Sequence, residues 1–319
     1  MVRFLKKMGV MLLACYGLLW ALQLYVDYRL SNSNHADYSQ WNTLMQGKVN
    51  ARMVFLGNSR TEAHFDPVCI EKNTGISGHN LGLSGLSMSE EQIIWKSYLA
   101  HNQPAKIVVQ NVDLYALTKK PLAHKALYLP YYNDKVLLKE LKKSDATVAY
   151  EQWIPMSKYR GFETDVLRAL GILGIKKTTK IKGHLQHKEN WNNDFSLFKA
   201  ALQGKKINYS TTEIAHELAA LKEIIADCHQ LQSQLILVWA PQYDELTALQ
   251  EPTFSEVKKQ IKQLAQENPN VVFWDFSTQS FTKEKTNFYN SFHMNHLGVA
   301  VFYKQFSDSL NVHLKKPIP

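Results

Sequence analysis

Residues 54–61 have the sequence Val-Phe-Leu-Gly-Asn-Ser-Arg-Thr. An apolar run that stops at a glycine and continues into polar residues predicts a buried strand, a tight turn and the start of a helix. Ser59 would then stand directly after the strand. Ligands of open α/β sheets bind at the carboxyl ends of the strands, so Ser59 is a candidate functional residue. The alternative is a purely structural serine, because serine is also a preferred N-cap residue.

Five segments of the sequence, including this one, have the pattern of strands. They cover residues 52–56, 78–81, 106–112, 235–240 and 271–275. Continuous apolar runs at 107–109, 235–238 and 271–273 are typical of strands buried on both faces of a parallel sheet. Helical patterns lie between or after these strands, at residues 89–100, 214–233, 254–267 and 296–310. The alternation predicts a three-layer α/β domain around a parallel, five-stranded sheet.

The third and fourth predicted strands are far apart in the sequence. The gap covers roughly residues 114–234, and it is much longer than a crossover helix, which needs about 12 residues. It therefore predicts a mostly helical insertion, with a helix at 161–173, followed by the crossover helix. We expect residues 51–319 to form one domain that carries this insertion.

The composition excludes several classes of protein. The chain has 319 residues, among them 14 Phe, 15 Tyr and 7 Trp, which need a core in which to pack and so exclude disorder as the main state. Three cysteines are too few for a disulfide scaffold. The net charge of +9 is compatible with anionic partners but identifies none of them. No motif for nucleic-acid binding is present.

Residues 8–26 form an apolar run in which Gln23 is the only strongly polar residue. A helix of this length covers nearly the full hydrocarbon thickness of a membrane, at about 1.5 Å per residue. Arg3, Lys6 and Lys7 precede the run, which predicts a cytoplasmic N-terminus and an extracytoplasmic remainder. We expect residues 1–29 to be a single-pass anchor and residues 30–50, which are polar, to be a stalk with some helix.

Three alternatives to a retained anchor remain. A cleaved signal peptide is one, although no small-x-small cleavage site follows the run. A lipoprotein cleaved before Cys15 is another, although the apolar run continues well beyond that cysteine. The third is a helix buried in the core.

Two further motifs carry candidate functional residues. Residues 79–87 read His-Asn-Leu-Gly-Leu-Ser-Gly-Leu-Ser, where the backbone N–H of Gly85 could bind an oxyanion; the alternative is a loop that needs a positive φ. Residues 288–298 read Phe-Tyr-Asn-Ser-Phe-His-Met-Asn-His-Leu-Gly. His293 would lie on a loop before the last helix, where it could approach the end of the first strand, and Asn290 could hold its Nδ1–H.

Taken in order, these motifs resemble those of the SGNH/GDSL hydrolase superfamily, especially its membrane-anchored extracytoplasmic branch in bacteria. The resemblance covers roughly residues 50–312. The family's Gly-x-Ser, its Asn-x-x-x-x-Gly stretch and its Asp-x-x-His followed by Asn and Gly are matched by Gly57–Ser59, Asn80–Gly85 and Asn290–His293 with Asn295 and Gly298.

The resemblance implies a flavodoxin-like fold and the hydrolysis or transfer of acyl esters. Ser59 would be the nucleophile and His293 the base that takes its proton. The backbone N–H groups of Ser59 and Gly85, together with one side-chain amide, would form the oxyanion hole. No metal or organic cofactor is needed.

The chain departs from the family pattern at three positions. Asn58 precedes the nucleophile where the family has Asp. Asn290 replaces the Asp that would orient His293, unless Asp275, at the end of the fifth strand, takes that role. The third strand ends without the family's glycine, which leaves Asn111 as the predicted amide donor and Gln110 and Asn58 as alternatives.

Arg60 adds a positive charge beside the predicted nucleophile. It could bind a carboxylate or phosphate of the substrate, or it could form a salt bridge with Glu62 or Asp66.

Together these observations predict an anchored, extracytoplasmic serine esterase or O-acyltransferase. The resemblance and the location imply that it acts on acyl esters of a cell-envelope glycan or a related substrate. The alternative is a catalytically weak relative that binds a glycan or a partner protein in an envelope assembly.

Overall fold

The computed structural model describes residues 1–314, which form two compact units. The first unit consists of Met1–Lys48 and Pro121–Thr179, and the second of Val49–Lys120 and the chain from Lys180 onward. The division differs from the predicted one, because only residues 121–179 of the expected insertion leave the sheet-bearing unit.

The second unit is built on a five-stranded sheet. Its strands are β1 (Met53–Leu56), β2 (Gly78–Asn80), β3 (Ile107–Asn111), β4 (Gln234–Trp239) and β5 (Val271–Asp275). The order is β2-β1-β3-β4-β5, and every neighbouring pair is parallel. The predicted α/β class and parallel sheet are confirmed, and each predicted strand is present to within one residue at either end.

The helices are as follows. In chain order they are α1 (Val2–Ser31), α2 (Ser39–Met45), α3 (Ser59–His64), α4 (Pro67–Thr74), α5 (Met88–His101), α6 (Lys125–Tyr128), α7 (Lys135–Ser144), α8 (Val148–Glu151), α9 (Glu163–Ala169), α10 (Asp194–Ala201), α11 (Thr211–Gln230), α12 (Asp244–Leu249), α13 (Thr253–Gln266) and α14 (His296–Leu314). Short 3₁₀ turns occur at Leu129–Tyr131, Ser157–Tyr159, Ser280–Lys283 and Lys285–Asn287.

The sheet topology determines where a ligand can bind. Strand β1 pairs with β2 on one side and with β3 on the other, and Leu56 lies opposite Gln110 at the carboxyl end. The order therefore changes direction between β1 and β3, and a crevice forms outside the strand ends at such a point. The loops that follow β1 and β3 lie at this crevice.

Aromatic packing fixes the last helix against the first strand. Phe65 packs edge-on against Phe302 and Phe306 of α14, with ring centroids 5.2 and 5.4 Å apart. Phe55 of β1 belongs to the same buried cluster. The burial of these large aromatic rings contributes favourably to the free energy of folding, and it fixes the position of the loop that precedes α14.

The first unit contains most of the segment predicted as a stalk with some helix, and that helix packs into the unit. Residues 30–50 include α2, whose Trp41 is 1% exposed and packs edge-on against Tyr128 at 5.1 Å. Because the segment is mostly polar, its sequence gives no indication that one face of α2 is buried. The helix predicted at 161–173 is present as the shorter α9.

Helix α1 changes character along its length. It is exposed from Val2 to Leu19, apart from a half-buried Gly9, whereas Gln23, Val26 and Leu30 are buried against the rest of the first unit. Among the residues that the structure describes, α1 is the one helix long and apolar enough to cross a membrane. By length and composition it could be a membrane span or a signal sequence.

Candidate active site

The turn after β1 presents Ser59 at the start of α3. Gly57 has a φ of +149°, and a Cβ there would lie 2.1 Å from Thr61 Oγ1, so only glycine fits this position. Asn58 is the N-cap, and its side chain accepts a hydrogen bond from the backbone N–H of Arg60 at 3.0 Å. The glycine and the cap together fix the position of Ser59.

The loop after β2 is tied to α3. The Asn80 amide donates to the carbonyl oxygens of Thr61 and Phe65, at 2.6 and 2.8 Å, and its oxygen accepts from Gly82 N–H at 2.8 Å. A Cβ at Gly82 would lie 2.6 Å from the backbone nitrogen of Glu62, which explains the glycine. This attachment brings Gly85, with a φ of +83°, to the same crevice as Ser59.

The loop before α14 is held from three sides. Asp194 accepts hydrogen bonds from the backbone N–H of Ser291, at 3.0 Å, and from its hydroxyl, at 2.7 Å. His64 Nε2 accepts from Met294 N–H at 3.0 Å. Asn295 caps α14 by accepting from Leu297 N–H at 3.0 Å. The loop is thereby fixed before its histidine meets any ligand.

Ser59, His293 and Asn290 form one hydrogen-bonded chain. The Ser59 Oγ lies 2.7 Å from His293 Nε2, and His293 Nδ1 lies 2.9 Å from Asn290 Oδ1. Because an amide oxygen only accepts, Nδ1 carries the proton and Nε2 is free to accept from the serine hydroxyl. The imidazole ring also stacks on Tyr289 at a centroid distance of 5.4 Å.

The orientation of the Asn290 amide follows from its other contacts. Its Oδ1 also accepts from the backbone N–H groups of Phe292 and His293, at 3.0 and 2.9 Å. A flipped amide would place its NH₂ group against two donors, so the oxygen must face them. Asn290 therefore selects the tautomer of His293 that a serine nucleophile requires.

Asp275 does not substitute for the missing carboxylate. It accepts a hydrogen bond from the Ser277 hydroxyl at 2.5 Å and pairs with Lys258 at 2.9 Å. The alternative that Asp275 orients His293 is therefore wrong. Strand β5 lies at the edge of the sheet, and its end directs the Asp275 side chain to its own loop and to α13.

The basicity of His293 is set by its surroundings. Burial lowers its pKa to about 3, and the positive charge of Arg60 and the nearby His187 act in the same direction. The charge of Asp113 opposes this effect only in part, and no carboxylate receives the Nδ1–H. The imidazole is neutral over the whole physiological range, which is the form that a general base needs, although its proton affinity is low.

A buried carboxylate, Asp113, organises the floor of the site. It accepts from Asn58 Nδ2 at 3.0 Å, from Asn111 Nδ2 at 3.0 Å and from Ala116 N–H at 2.9 Å. Its burial opposes ionisation, but Arg60 and these donors outweigh that effect and lower its pKa.

This network corrects the prediction for the third oxyanion donor. The Asn111 amide is committed to Asp113, its oxygen accepts from Ala240 N–H at 3.3 Å, and its side chain is fully buried rather than lining the cavity. Asn58 donates to both oxygens of Asp113, and Gln110 donates to Glu91 at 2.6 Å. All three amides are taken because buried carboxylates need donors.

Arg60 lies beside Ser59, but neither expected acid is its partner. Its Nη1 is 3.5 Å from Asp113, and its Nε donates to the Phe292 carbonyl oxygen at 3.3 Å. Glu62 pairs with Lys180 instead. The guanidinium is 3% exposed, so its charge is largely compensated within the protein rather than presented to a ligand. Arg60 links the end of β3 to the histidine loop.

A cavity of about 260 Å³ opens at Ser59. Its lining residues are Asn58, Ser59, Arg60, Ser84, Gly85, Asp113, Tyr115, Phe292 and His293. The predicted residues Ser59, Gly85, His293 and Arg60 thus come together. Sequence reasoning missed Asp113, Tyr115 and Phe292; an acidic residue two positions past a buried strand was the one available signal.

The chain is similar in structure to several solved proteins. No model of a protein family matches the sequence, and no curated protein matches it. A Streptococcus pneumoniae protein provisionally described as a platelet activating factor is structurally similar, with 12% identity over 95% of this chain and 99% of that one (TM-score 0.43). A provisionally assigned acylhydrolase from Bacteroides fragilis has 11% identity, over 89% and 98% (TM-score 0.43).

An acetyl xylan esterase from Butyrivibrio proteoclasticus is also similar, with 10% identity over 82% of this chain and 64% of that one (TM-score 0.36). Similarity at this level leaves the function of the chain to be argued from its own site.

Proposed function

We propose that this protein is a serine esterase or O-acyltransferase in which Ser59 is the nucleophile and His293 the general base. The observation that carries the proposal is the continuous chain from Ser59 Oγ through both nitrogens of His293 to Asn290, with contacts of 2.7 and 2.9 Å. Nucleophile, base and orienting group in hydrogen-bond contact are the signature of acyl transfer through a covalent intermediate.

The proposed reaction has two steps. Ser59 Oγ attacks the ester carbonyl while its proton passes to His293 Nε2, and the alcohol then leaves with that proton. The backbone N–H groups of Ser59 and Gly85 would hold the oxyanion, each contributing about 3 kcal/mol by analogy with other hydrolases. In the second step, water or a second hydroxyl gives its proton to His293 and attacks the acyl carbon; the bond to Ser59 Oγ breaks, and His293 returns the proton to Ser59.

The cavity supports a short acyl group. Its volume of about 260 Å³ lies just below the range typical of drug-sized ligand pockets. Tyr115 and Phe292 supply apolar walls, and the compensated Arg60 leaves no strong preference for an anionic substrate.

We infer that the substrate is an acyl ester of a cell-envelope glycan or a related envelope molecule. The proposal includes α1 as a retained single-pass anchor, drawn from the sequence at residues 8–26, with a cytoplasmic N-terminus and an extracytoplasmic site. The exposed, apolar part of α1 and the basic residues Arg3, Lys6 and Lys7, which precede its apolar run, support this topology.

Covalent labelling tests the proposal. The full chain in detergent is treated with a fluorophosphonate probe and with p-nitrophenyl acetate, as wild type, Ser59→Ala and Ser84→Ala. Ser84 lines the same cavity but bonds to Glu62, so it is a matched control. We expect labelling and turnover to be lost only in Ser59→Ala. A folded wild-type protein that takes up no probe would contradict the proposal.

One observation favours a second function, that of a catalytically weak binding protein in an envelope assembly. His293 has no carboxylate on Nδ1 and a pKa of about 3, which weakens it as a base. In that case, the fluorophosphonate would not label Ser59, although acylated glycans would still raise the melting temperature of the protein.

A further inference from the structure

A short loop of the first unit lies against the apolar part of α1. The Tyr16 hydroxyl donates to the carbonyl oxygen of Trp153 at 2.9 Å. Seven residues farther along the helix, Gln23 Oε1 accepts from Met156 N–H at 2.6 Å. Both contacts are made by side chains of α1 to the backbone of residues 153–156, so this loop follows the helix for two turns.

This loop and the end of α8 before it present large apolar side chains outward. Tyr150 is 53% exposed, Trp153 is 69% exposed and Ile154 is 52% exposed. Several of its backbone groups are paired, since Trp153 N–H donates to the carbonyl oxygen of Tyr150, Ser157 N–H donates to that of Ile154, and Met156 N–H is bound by Gln23. Exposed aromatic and aliphatic side chains beside a backbone that pairs with itself and with α1 suit the membrane interface, because unpaired N–H groups are costly near lipid.

The geometry of α1 determines the depth of this loop. The membrane span predicted from the sequence ends at Val26, about 15 Å beyond Tyr16 at roughly 1.5 Å per residue. The Trp153 carbonyl, which Tyr16 binds, would then lie near the centre of the membrane. If the span instead ends between Trp20 and Gln23, Tyr16 is still about 6 to 10 Å below its edge. In either case the loop lies at or below the outer boundary of the hydrocarbon.

Polar contacts identify the better of these two placements. Asp27 pairs with Lys158 at 2.8 Å, and Gln23 accepts a backbone hydrogen bond, so α1 meets polar groups from Gln23 onward. A span about 30 Å long that ends at Gln23 begins near Arg3, and the long side chains of Arg3, Lys6 and Lys7 can reach the opposite interface. Tyr16, Trp20 and Trp153 then lie together where aromatic belts occur.

We propose that the side chains of Tyr150, Trp153 and Ile154 insert into the outer membrane interface beside α1, so that the protein contacts lipid through these residues as well as through its anchor. The occupant of the exposed apolar surface is a lipid bilayer, because the surface is continuous with the helix that enters one. The proposal rests on α1 being a retained span, and the catalytic assignment can fail without affecting it.

Depth-dependent quenching by brominated lipids tests the insertion. The full chain is reconstituted into phosphatidylcholine vesicles with bromine at a shallow or a deep acyl position, as wild type, Trp153→Phe, Trp20→Phe and Trp191→Phe. The emission lost in each variant gives the signal of that tryptophan. Trp191, in the second unit, is the matched control and Trp20 reports whether α1 is inserted.

We expect the Trp153 and Trp20 signals to fall at least twofold in brominated vesicles, more with shallow than with deep bromine, while the Trp191 signal is unchanged. A quenched Trp20 beside an unquenched Trp153 would overturn the insertion and leave the anchor intact. If Trp20 is not quenched either, the anchor and the insertion both fail, whatever the fluorophosphonate result. Equal melting temperatures in detergent would show that the variants fold.

Discussion

Replacing Asn290 by Asp should raise the pKa of His293 and so make it a more effective base. The substitution puts a carboxylate oxygen where the amide oxygen now receives His293 Nδ1–H at 2.9 Å. The shape of the side chain hardly changes. The backbone N–H groups of Phe292 and His293, which already donate to this oxygen, would keep the new carboxylate ionised.

The magnitude follows from Coulomb's law. Opposite charges about 4 Å apart attract by about 4 kcal/mol at an effective dielectric constant of about 20. That energy corresponds to a rise of about 3 in pKa. The pKa of His293, which burial and Arg60 lower to about 3, would therefore move to about 6 in the variant.

The expected effect on catalysis is a gain. The Asp-to-Asn change in a serine protease costs about 10⁴ in kcat, largely through the wrong tautomer. Asn290 already selects the right tautomer here, so only the electrostatic part remains, and we expect kcat/KM at pH 8 to rise about 10- to 100-fold.

The assay is the pH profile of acetyl ester hydrolysis by the full chain between pH 4 and 9. Wild type should show no inflection from His293 in this range, whereas Asn290→Asp should lose activity below about pH 6, where the imidazole takes up a proton. The double variant Asn290→Asp/His293→Ala is the control and should gain nothing. A folded Asn290→Asp protein with unchanged activity and no inflection would refute the reasoning.

Three further predictions concern stability. Gly57→Ala, which brings a Cβ to 2.1 Å from a threonine oxygen, should lower the melting temperature more than Gly75→Ala, whose Cβ meets nothing within 4 Å and which carries only the strain of its positive φ, about 1 kcal/mol. Arg60→Met should destabilise the protein at pH 7 and less so at pH 4 in denaturant titrations, because Asp113, whose pKa is now lowered, loses its ion pair and is more easily protonated. Burial lowers the pKa of His293 below its unfolded value, so the free energy that its neutral imidazole contributes to folding is complete above about pH 6.5 and falls by about 2 kcal/mol at pH 5. The substitution His293→Gln should remove this contribution from the pH dependence of the unfolding free energy.

The sheet was predictable because its information is local. Strands such as β3 and β4 are continuous apolar runs that end at polar residues, and the alternation with amphipathic helices leaves few arrangements other than a parallel sheet. The fold of residues 30–50 was not predictable in the same way. Trp41 is buried by Tyr128, far along the chain, and its polar neighbours give no periodic signal.

The candidate site divides along the same line. Ser59, Gly85 and His293 stand in short motifs, each of which combines a glycine or a cap with a reactive group, so each could be identified before the fold was known. Asn111 could not be assigned correctly. Whether its amide faces the cavity depends on the competing demand of Asp113, a buried carboxylate that takes any donor within reach.

The sequence by itself determined the parallel α/β architecture, the apolar N-terminal helix and the three residues that meet at the cavity. These follow from the periodicity of apolar residues and from local backbone requirements, which act over a few residues. Only the tertiary structure decided how hydrogen bonds and charges are shared among the groups that folding brings together. Arg60 became the partner of Asp113, and the Asn58 amide became a donor to the same carboxylate, because burial forces each polar group to find a partner, here from a distant part of the chain.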